Sequence, residues 1–191
     1  MKERNEVDPD LRTVERIQAG EASAFRDIVD KYKDKSLSLI SSYIKNDQQA
    51  EDVLQDAFIK AFDNIHKFRL ESLFSTWLYR IIVNTCLRQK ETNKADLFEE
   101  LSVIESIDFQ SASAIEMLEQ NERSAYIALT FKMMKSEEAL LLRLFYLCDL
   151  SIAEIQQVTG YSESNVKVIL HRARKNMYGI LVKLTGNDLK I

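Results

Sequence analysis

Residues that break helices are scarce in this sequence, which has one proline and four glycines among its 191 residues. Strands and hairpins usually need such residues at their turns, so their scarcity disfavours a β-rich fold. Leucine, isoleucine, alanine, glutamate and lysine are frequent instead, and apolar residues form 46% of the chain. We therefore predict an all-α protein with enough apolar side chains for one or two small domains.

Cysteine and histidine are also rare, with two of each, and they show no metal-ligand spacing. Cys86 and Cys148 lie in apolar helical runs, so we expect buried, reduced thiols. The sequence shows no nucleophile–histidine–acid set and no glycine-rich phosphate loop. We therefore expect neither an enzyme nor a bound metal or other cofactor.

Long apolar runs are missing as well. The N-terminus has no stretch like that of a signal peptide, and no run approaches the roughly 18 apolar residues that a membrane span requires. We expect a cytoplasmic protein without direct membrane insertion.

Acidic residues are concentrated in one segment of a chain whose net charge is −4. Residues 91–122 carry nine acids and one base, which leaves a net charge of +4 for the rest. Up to about residue 113 this segment lacks clean helical periodicity, which is typical of a linker. We predict two small helical domains, 1–90 and 115–191, joined by an acidic linker over 91–114.

Helical periodicity predicts the elements within each domain. We expect Asp8 to cap the first helix and Gly20 to end it. The predicted helices cover about 9–19, 22–44, 48–64 and 73–90 in the first domain, and 137–148, 152–159 and 163–183 in the second, where helices resume near 113.

A helix-turn-helix is predicted near the C-terminus. Ser151 and Glu154 form a capping box, Gly160 suits the end of a short helix, and Ser162 suits the start of the next. On a helical wheel of the second helix, one side carries four fixed positive charges, one imidazole and no acid. Such a side suits a DNA major groove, although a solvated surface helix is the alternative. The residues predicted to contact DNA are Lys167, Val168, His171, Arg172, Arg174 and Lys175.

Two helices of the N-terminal domain also present polar sides. Residues 50–62 place Asp52, Gln55, Asp56 and Ile59 outward, which suits a basic protein partner, with an acidic solvated face as the alternative. In the helix over 73–90 a polar side follows the i, i+4, i+8 spacing, and the preceding polar loop could hold unstacked bases. Trp77 is assigned to the core. The candidate nucleic-acid contacts are Phe68, Arg69, Ser72, Thr76, Arg80, Asn84 and Arg88.

Three segments together resemble the extracytoplasmic function (ECF) class of bacterial sigma factors. AEDVLQDAFIKAF resembles the helix that binds core polymerase, and FSTWLYRIIVNTCLRQK the following helix, which faces the −10 promoter element. SIAEIQQVTGYSESNVKVILHRARKNM resembles the fourth-region helix-turn-helix, which reads the −35 element. The order and spacing of these three segments, and the acidic linker between the second and the third, agree with those of the family.

The resemblance implies domains of sigma region 2 and region 4 type, and a protein that directs RNA polymerase core to promoters and helps to melt them. The residues of 52–59 would meet the clamp helices of the β′ subunit, and the C-terminal domain the β flap. The loop and helix over 68–88 would hold the opened −10 element, and residues 167–175 would lie in the −35 groove. An anti-sigma protein is a further expected partner.

Two features depart from the family pattern. The stretch KMMKSEEALLLR lacks the proline that often precedes the fourth region, and Val168-Ile169 replaces the usual Ser-Arg. A methyl-bearing side chain at Val168 could meet a thymine methyl. The alternatives are a stand-alone helix-turn-helix regulator, which leaves the acidic side of 52–59 unexplained, and a sigma-mimicking partner-switch protein, which the basic helix disfavours.

Overall fold

The computed structural model describes residues 8–92 and 119–186, and every regular element in these ranges is helical. The all-α prediction is therefore confirmed. The predicted linker lies outside the described residues, except for its first two residues, which extend a helix. The main helices are α1 (Leu11–Gln18), α2 (Phe25–Ile40), α3 (Asp47–Asn64), α4 (Phe74–Thr92), α5 (Glu119–Met133), α6 (Ser136–Leu142), α7 (Ile152–Thr159) and α8 (Glu163–Thr185).

Shorter helical turns extend three of these elements. A 3₁₀ turn over Ala22–Ala24 leads into α2, and another over Ile65–Lys67 follows α3. A π-helical turn over Arg143–Leu147 continues α6. The predicted second helix therefore has a tighter first turn and ends earlier than expected. The predicted bounds of α7 are confirmed, and α3 begins one residue earlier than predicted.

The predicted cap of the first helix is wrong. The N-cap of α1 is Asp10, and the helix begins at Leu11. One oxygen of the Asp8 carboxylate accepts from the backbone N–H of Asp10, directly before α1, at 2.9 Å, and the other accepts from that of Phe74 at the start of α4 at 2.6 Å. The predicted stop is confirmed, since Gly20 follows α1 with φ of 104°.

The N-terminal core forms where α2 and α3 pack on α4. Inside-facing residues of α4 such as Phe74, Leu78 and Ile82 are completely buried against apolar residues of α2. The side chain of Asn46 caps α3 by accepting from the backbone N–H of Gln49 at 3.0 Å. This cap satisfies one of the N–H groups that a helix start leaves unpaired.

The helix-turn-helix prediction is confirmed at each capping residue. Ser151 and Glu154 form the reciprocal capping box of α7, Gly160 ends that helix in the left-handed conformation, and the side chain of Ser162 caps α8. The inward side of α8 packs on α5, α6 and α7. Its buried residues are Val166, Ile169, Leu170 and Ala173. The helical wheel also places Met177, Ile180 and Leu181 on the inward side, and these are only half-buried.

The two halves of the chain are in contact through α4 and α7. Thr76 on α4 donates a hydrogen bond to Oε1 of Glu154 on α7 at 3.3 Å. A second link joins the π-helical turn to the end of α2, where Arg143 donates to the hydroxyl of Ser42 at 2.8 Å. Both cysteines are free and buried, as predicted, and Cys148 contacts Tyr79 of α4.

Candidate nucleic-acid interface

The outward side of α8 presents the residues predicted to contact DNA. Lys167, His171 and Lys175 are exposed, and Val168 is 60% exposed at the centre of this side. Lys167 forms an exposed ion pair with Glu163 one turn earlier. Because such surface pairs contribute little to stability, a DNA phosphate could replace Glu163 at small cost.

Arg172 has partners that the helical wheel could not reveal. Its Nε donates to Oε1 of Glu138 at 2.8 Å, and its Nη2 lies 3.6 Å from Glu137. Asn176 donates to the other oxygen of Glu138 at 2.8 Å. Both acids belong to α6, so only the packing of α6 on α8 brings them to this side. A guanidinium has further N–H groups, and the role of Arg172 on DNA stays a prediction.

Arg174 lies against the π-helical turn. Its Nε donates to the hydroxyl of Tyr146 at 2.8 Å, and its guanidinium carbon lies 5.4 Å and 5.7 Å from the ring centres of Phe145 and Tyr146. These contacts hold the Arg174 side chain beside an exposed aromatic residue. The residues next to Tyr146 in the sequence give no indication of its contact with α8, so this contact could not be predicted.

The polar side of α4 is only partly accessible. Arg80, Asn84 and Arg88 are exposed, whereas Thr76 is 1% exposed because α7 covers it. The residues with i, i+4, i+8 spacing therefore begin at Thr76, which is buried against α7, and continue to Arg80 and Asn84, which are exposed to solvent. In this arrangement, the four residues do not form one continuous exposed side.

The loop before α4 forms one wall of a cleft of about 270 Å³. Phe68 is 6% exposed, with its ring 5.6 Å from that of Phe74 and 5.5 Å from that of Trp77. The ring of Phe68 is thus packed in the core in this conformation. Trp77, which was assigned to the core, packs beside it but is only half-buried and also lines the cleft. The residues lining the cleft are Lys67, Phe68, Arg69, Glu71, Ser72, Trp77, Arg80 and Gln157.

The outward side of α3 combines acids with an apolar groove. Asp52, Gln55 and Asp56 are exposed, Ile59 is 53% exposed, and Asp56 pairs with Lys60. The groove, about 490 Å³ in volume, separates α3 from α2. The helical period of residues 50–62 predicts a buried Phe62 and no groove, whereas Phe62 is exposed at the groove. The apolar lining residues are Phe25, Val29, Leu54, Phe58, Ile59 and Phe62.

The described residues hold no cluster of three or more side chains suited to a metal ion. Among the helices in 8–92 and 119–186, none combines the length and apolar character needed to cross a bilayer.

Two family profiles match the chain, one in each half. The profile of sigma-70 region 2 covers residues 28–95, and that of sigma-70 region 4 covers residues 129–177. The first match includes α3, α4 and every residue that lines the cleft except Gln157, and the second includes Gln157 and the helix-turn-helix. Each predicted interface therefore lies within a matched region.

Relatives and solved structures agree with these profiles. The chain is 30% identical over 172 residues to the ECF RNA polymerase sigma factor SigW of Bacillus subtilis, covering 86% of this chain and 92% of that protein. It is 31% identical over 170 residues to the ECF RNA polymerase sigma-E factor of Escherichia coli K12, covering 85% and 88% of the two chains.

The fold is similar to that of CnrH, solved in complex with the cytosolic domain of CnrY. The TM-score is 0.62 at 19% identity, over 90% of this chain and 96% of CnrH. The sigma factor RpoE of Bartonella quintana, solved in complex with the anti-sigma factor NepR, has a TM-score of 0.58 at 18% identity, over 86% and 98% of the two chains. With region 2 and region 4 in order and two relatives matched over most of their length, the chain belongs to the ECF family of RNA polymerase sigma factors.

Proposed function

We propose that this protein binds RNA polymerase core and directs it to promoters, where it reads the −35 element with α8 and holds the opened −10 element with α4 and the cleft. The observation that carries the proposal is the helix-turn-helix with a basic outward side on α8, on the same chain as the acidic, partly apolar side of α3. The first surface suits DNA, and the second suits a basic protein partner.

The −35 contact uses the exposed side of α8. Lys167, Lys175 and the free N–H groups of the two arginines would meet phosphates or base edges. Glu138 and Tyr146 would orient Arg172 and Arg174 before DNA arrives. Val168 would supply an apolar contact, for which a thymine methyl is the fitting partner in the major groove.

The −10 contact uses the loop and α4 walls of the cleft, whose remaining lining residue, Gln157, belongs to α7. Arg69 and Arg80 provide positive charge, Ser72 a hydroxyl, and Trp77 an aromatic wall. This combination suits an unstacked base and its phosphate. Thr76 could take part only after α7 moves away from α4, because Thr76 is covered by that contact.

Simultaneous contact with both elements requires a long connection between the domains. Promoter elements two helical turns apart are separated by roughly 70 Å. A linker of about 25 extended residues reaches at most roughly 85 Å, so the predicted linker over 91–114 is long enough. We propose that its acidity suits a basic channel of the polymerase that otherwise holds RNA.

The polymerase contact uses the outward side of α3. Asp52, Asp56 and Gln55 would bind polar and basic groups of the β′ clamp helices, and Ile59 would add an apolar anchor beside the groove. The C-terminal domain would bind the β flap. We place the protein in the cytoplasm with the polymerase, and we propose an anti-sigma protein as a further partner by analogy with the complex of RpoE.

A reconstituted transcription assay tests the proposed function. The purified chain is added to core polymerase on promoters that vary at the −35 and −10 elements. We expect specific transcripts only when chain and core are both present, with weak binding of duplex DNA by the chain alone. Tight unaided binding of duplex DNA without transcription would support the stand-alone regulator instead, and binding of an anti-sigma protein without DNA would support the sigma-mimicking protein.

A further inference from the structure

Helix α1 lies beside the loop that connects α3 to α4, and one of its side chains holds the start of that loop. Nε2 of Gln18 donates to the backbone carbonyl of Ile65 at 2.8 Å and to that of Phe68 at 3.2 Å. These carbonyls lie at the two ends of the 3₁₀ turn that follows α3. The side-chain amide of Gln18 therefore braces this turn, although Ile65 and Phe68 lie 47 and 50 residues later in the chain.

The end of the loop is held from the other end of α1. Oδ2 of Asp8 accepts from the backbone N–H of Phe74, the first residue of α4, at 2.6 Å. The first N–H groups of a helix have no partner within the helix, so this carboxylate acts as a cap from a distant part of the chain. Asp8 is held in turn by the backbone N–H of Asp10.

Asp10 anchors this arrangement in the core. It is 3% exposed, and its carboxylate accepts from Lys31 and from the hydroxyl of Tyr32, both on α2. The residues that lead into α1 are thus fixed to α2 through Asp10, and they cap α4 through Asp8. Residues 8–18 therefore hold both ends of the loop, through Gln18 and Asp8, and are themselves anchored to α2 through Asp10.

Between these two braces, the tip of the loop is exposed beside the cleft. Arg69 and Glu71 line the cleft, and Leu70 adopts a positive φ of 61°. A leucine occupies the left-handed region only where the surrounding structure holds it there. The braces by Gln18 and Asp8 hold the backbone on either side of this tip, together with the packing of the Phe68 ring on Phe74 and Trp77.

We propose that Gln18 and Asp8 are positioning residues for recognition of the −10 element. Neither lines the cleft. They set the position of the loop backbone, and so decide how closely Arg69 and Ser72 fit the base that enters. This inference rests on the proposed function and assigns to α1 a role in base selectivity.

The test compares base selectivity among variants. Gln18→Met keeps the length of the side chain and removes both N–H donors, and Asp8→Ala removes the cap of α4. Glu15→Met is the matched control, because Glu15 is an exposed residue of the same helix. Asp8→Asn is the intermediate variant, since its one amide oxygen can still accept from Phe74, whereas its NH2 group cannot accept from the backbone N–H of Asp10.

Transcription with core polymerase is measured on four promoters that differ only in the −10 base captured by the cleft, and on matched −35 variants. We expect Gln18→Met and Asp8→Ala to reduce the preference for the best −10 base by roughly two- to tenfold, the range that one or two lost hydrogen bonds would produce. Preference at −35 and affinity for core should not change in any variant, and Glu15→Met should keep the wild-type preference at −10. Asp8→Asn should keep part of the selectivity that Asp8→Ala loses, because it can keep the cap of α4.

Unchanged −10 preference in Gln18→Met would overturn the inference, as would an equal loss on all promoters, which indicates a general effect on folding. Thermal melting identifies any variant that does not fold. Gln18→Met decides the outcome if Asp8→Ala unfolds, because Gln18 is only partly buried. If the wild-type chain directs no transcription with core, the proposed function itself fails, and the two failures are distinguishable.

Discussion

Arg172 of α8 donates a hydrogen bond from Nε to Oε1 of Glu138 on α6, at 2.8 Å. Glu138 is 2% exposed, so its carboxylate depends on Arg172 and Asn176 for compensation. Removal of one partner from a buried charge is costly, because the other charge stays buried without solvation. The arginine predicted to read DNA is therefore also a structural link between two helices of the C-terminal domain.

The first prediction separates these two roles of Arg172. Arg172→Ala should lower the free energy of unfolding by about 1–3 kcal/mol, because Glu138 loses a charge-assisted hydrogen bond. It should also weaken −35 binding, by about 1–3 kcal/mol if Arg172 contacts a base. Denaturant unfolding and binding of the polymerase complex to −35 variants measure the two effects.

The control for this prediction is the double variant Glu138→Gln with Arg172→Ala. It should recover part of the lost stability, because a neutral amide is easier to bury than a carboxylate. Binding at −35 should stay weak. If binding recovers together with stability, Arg172 acts on DNA only through the fold.

The second prediction concerns Val168. Val168→Ala should leave stability within about 0.5 kcal/mol of wild type, because the side chain is exposed. If Val168 contacts a thymine methyl, replacement of that thymine by uracil should weaken binding of the wild-type complex by roughly 1 kcal/mol or less, and should not further weaken the Val168→Ala complex. Equal effects of uracil on both proteins would contradict this contact.

The third prediction concerns the outward side of α3. Charge reversal at Asp52 and Asp56 should weaken binding to core polymerase and leave the helical circular dichroism spectrum unchanged, because both side chains are exposed. The loss should diminish at high salt, since screening weakens exposed charge pairs. Glu15→Lys on α1 is a control of the same sign, and an equal loss in that variant would indicate a nonspecific charge effect.

The fourth prediction uses Cys148 to report contact between the two halves. Burial raises the pKa of Cys148 to about 11 and that of Cys86 to about 12. Only a thiolate reacts fast with an alkylating reagent, so both thiols should react slowly at neutral pH. If α7 leaves α4 when the polymerase complex forms, Cys148 becomes less buried. Burial is the main cause that raises its pKa and outweighs the hydrogen bond with Tyr79, which lowers it, so the pKa should fall towards the ordinary value.

Alkylation followed by mass spectrometry measures this change. At pH 8, the reaction of Cys148 should accelerate severalfold in the complex, because a lower pKa gives a larger thiolate fraction. Cys86 is buried within the N-terminal core and contacts the carbonyl of Ile40, so it serves as the internal control. Equal rates for Cys148 in the free and bound protein would mean that the α4–α7 contact persists in the complex.

Sequence reasoning succeeded where a signal involves residues close together along the chain. The capping box of Ser151 and Glu154, the cap at Ser162 and the stop at Gly160 each depend on neighbours within one turn. The inward side of α8 follows from a fixed helical period, so its buried residues were predicted as well. These local rules were sufficient to predict the helix-turn-helix and the polar side of its second helix.

Sequence reasoning failed where a side chain has a distant partner. Asp8 has the properties of a cap and does cap a helix, but that helix is α4, 66 residues later. Thr76 follows the spacing of an exposed polar side, yet it donates to Glu154, 78 residues away, and is buried. Neither partner is visible in a window of helical length.

By itself, the sequence determined the helical fold class, the caps and periods of most helices, and the side of α8 that carries positive charge, because these features depend on backbone propensity and spacing. Only the tertiary structure decided that Glu138 holds Arg172, that Gln18 and Asp8 brace the loop, and that α7 covers Thr76. The physical reason is that these contacts arise when separate helices pack, and packing depends on the joint shape of many side chains.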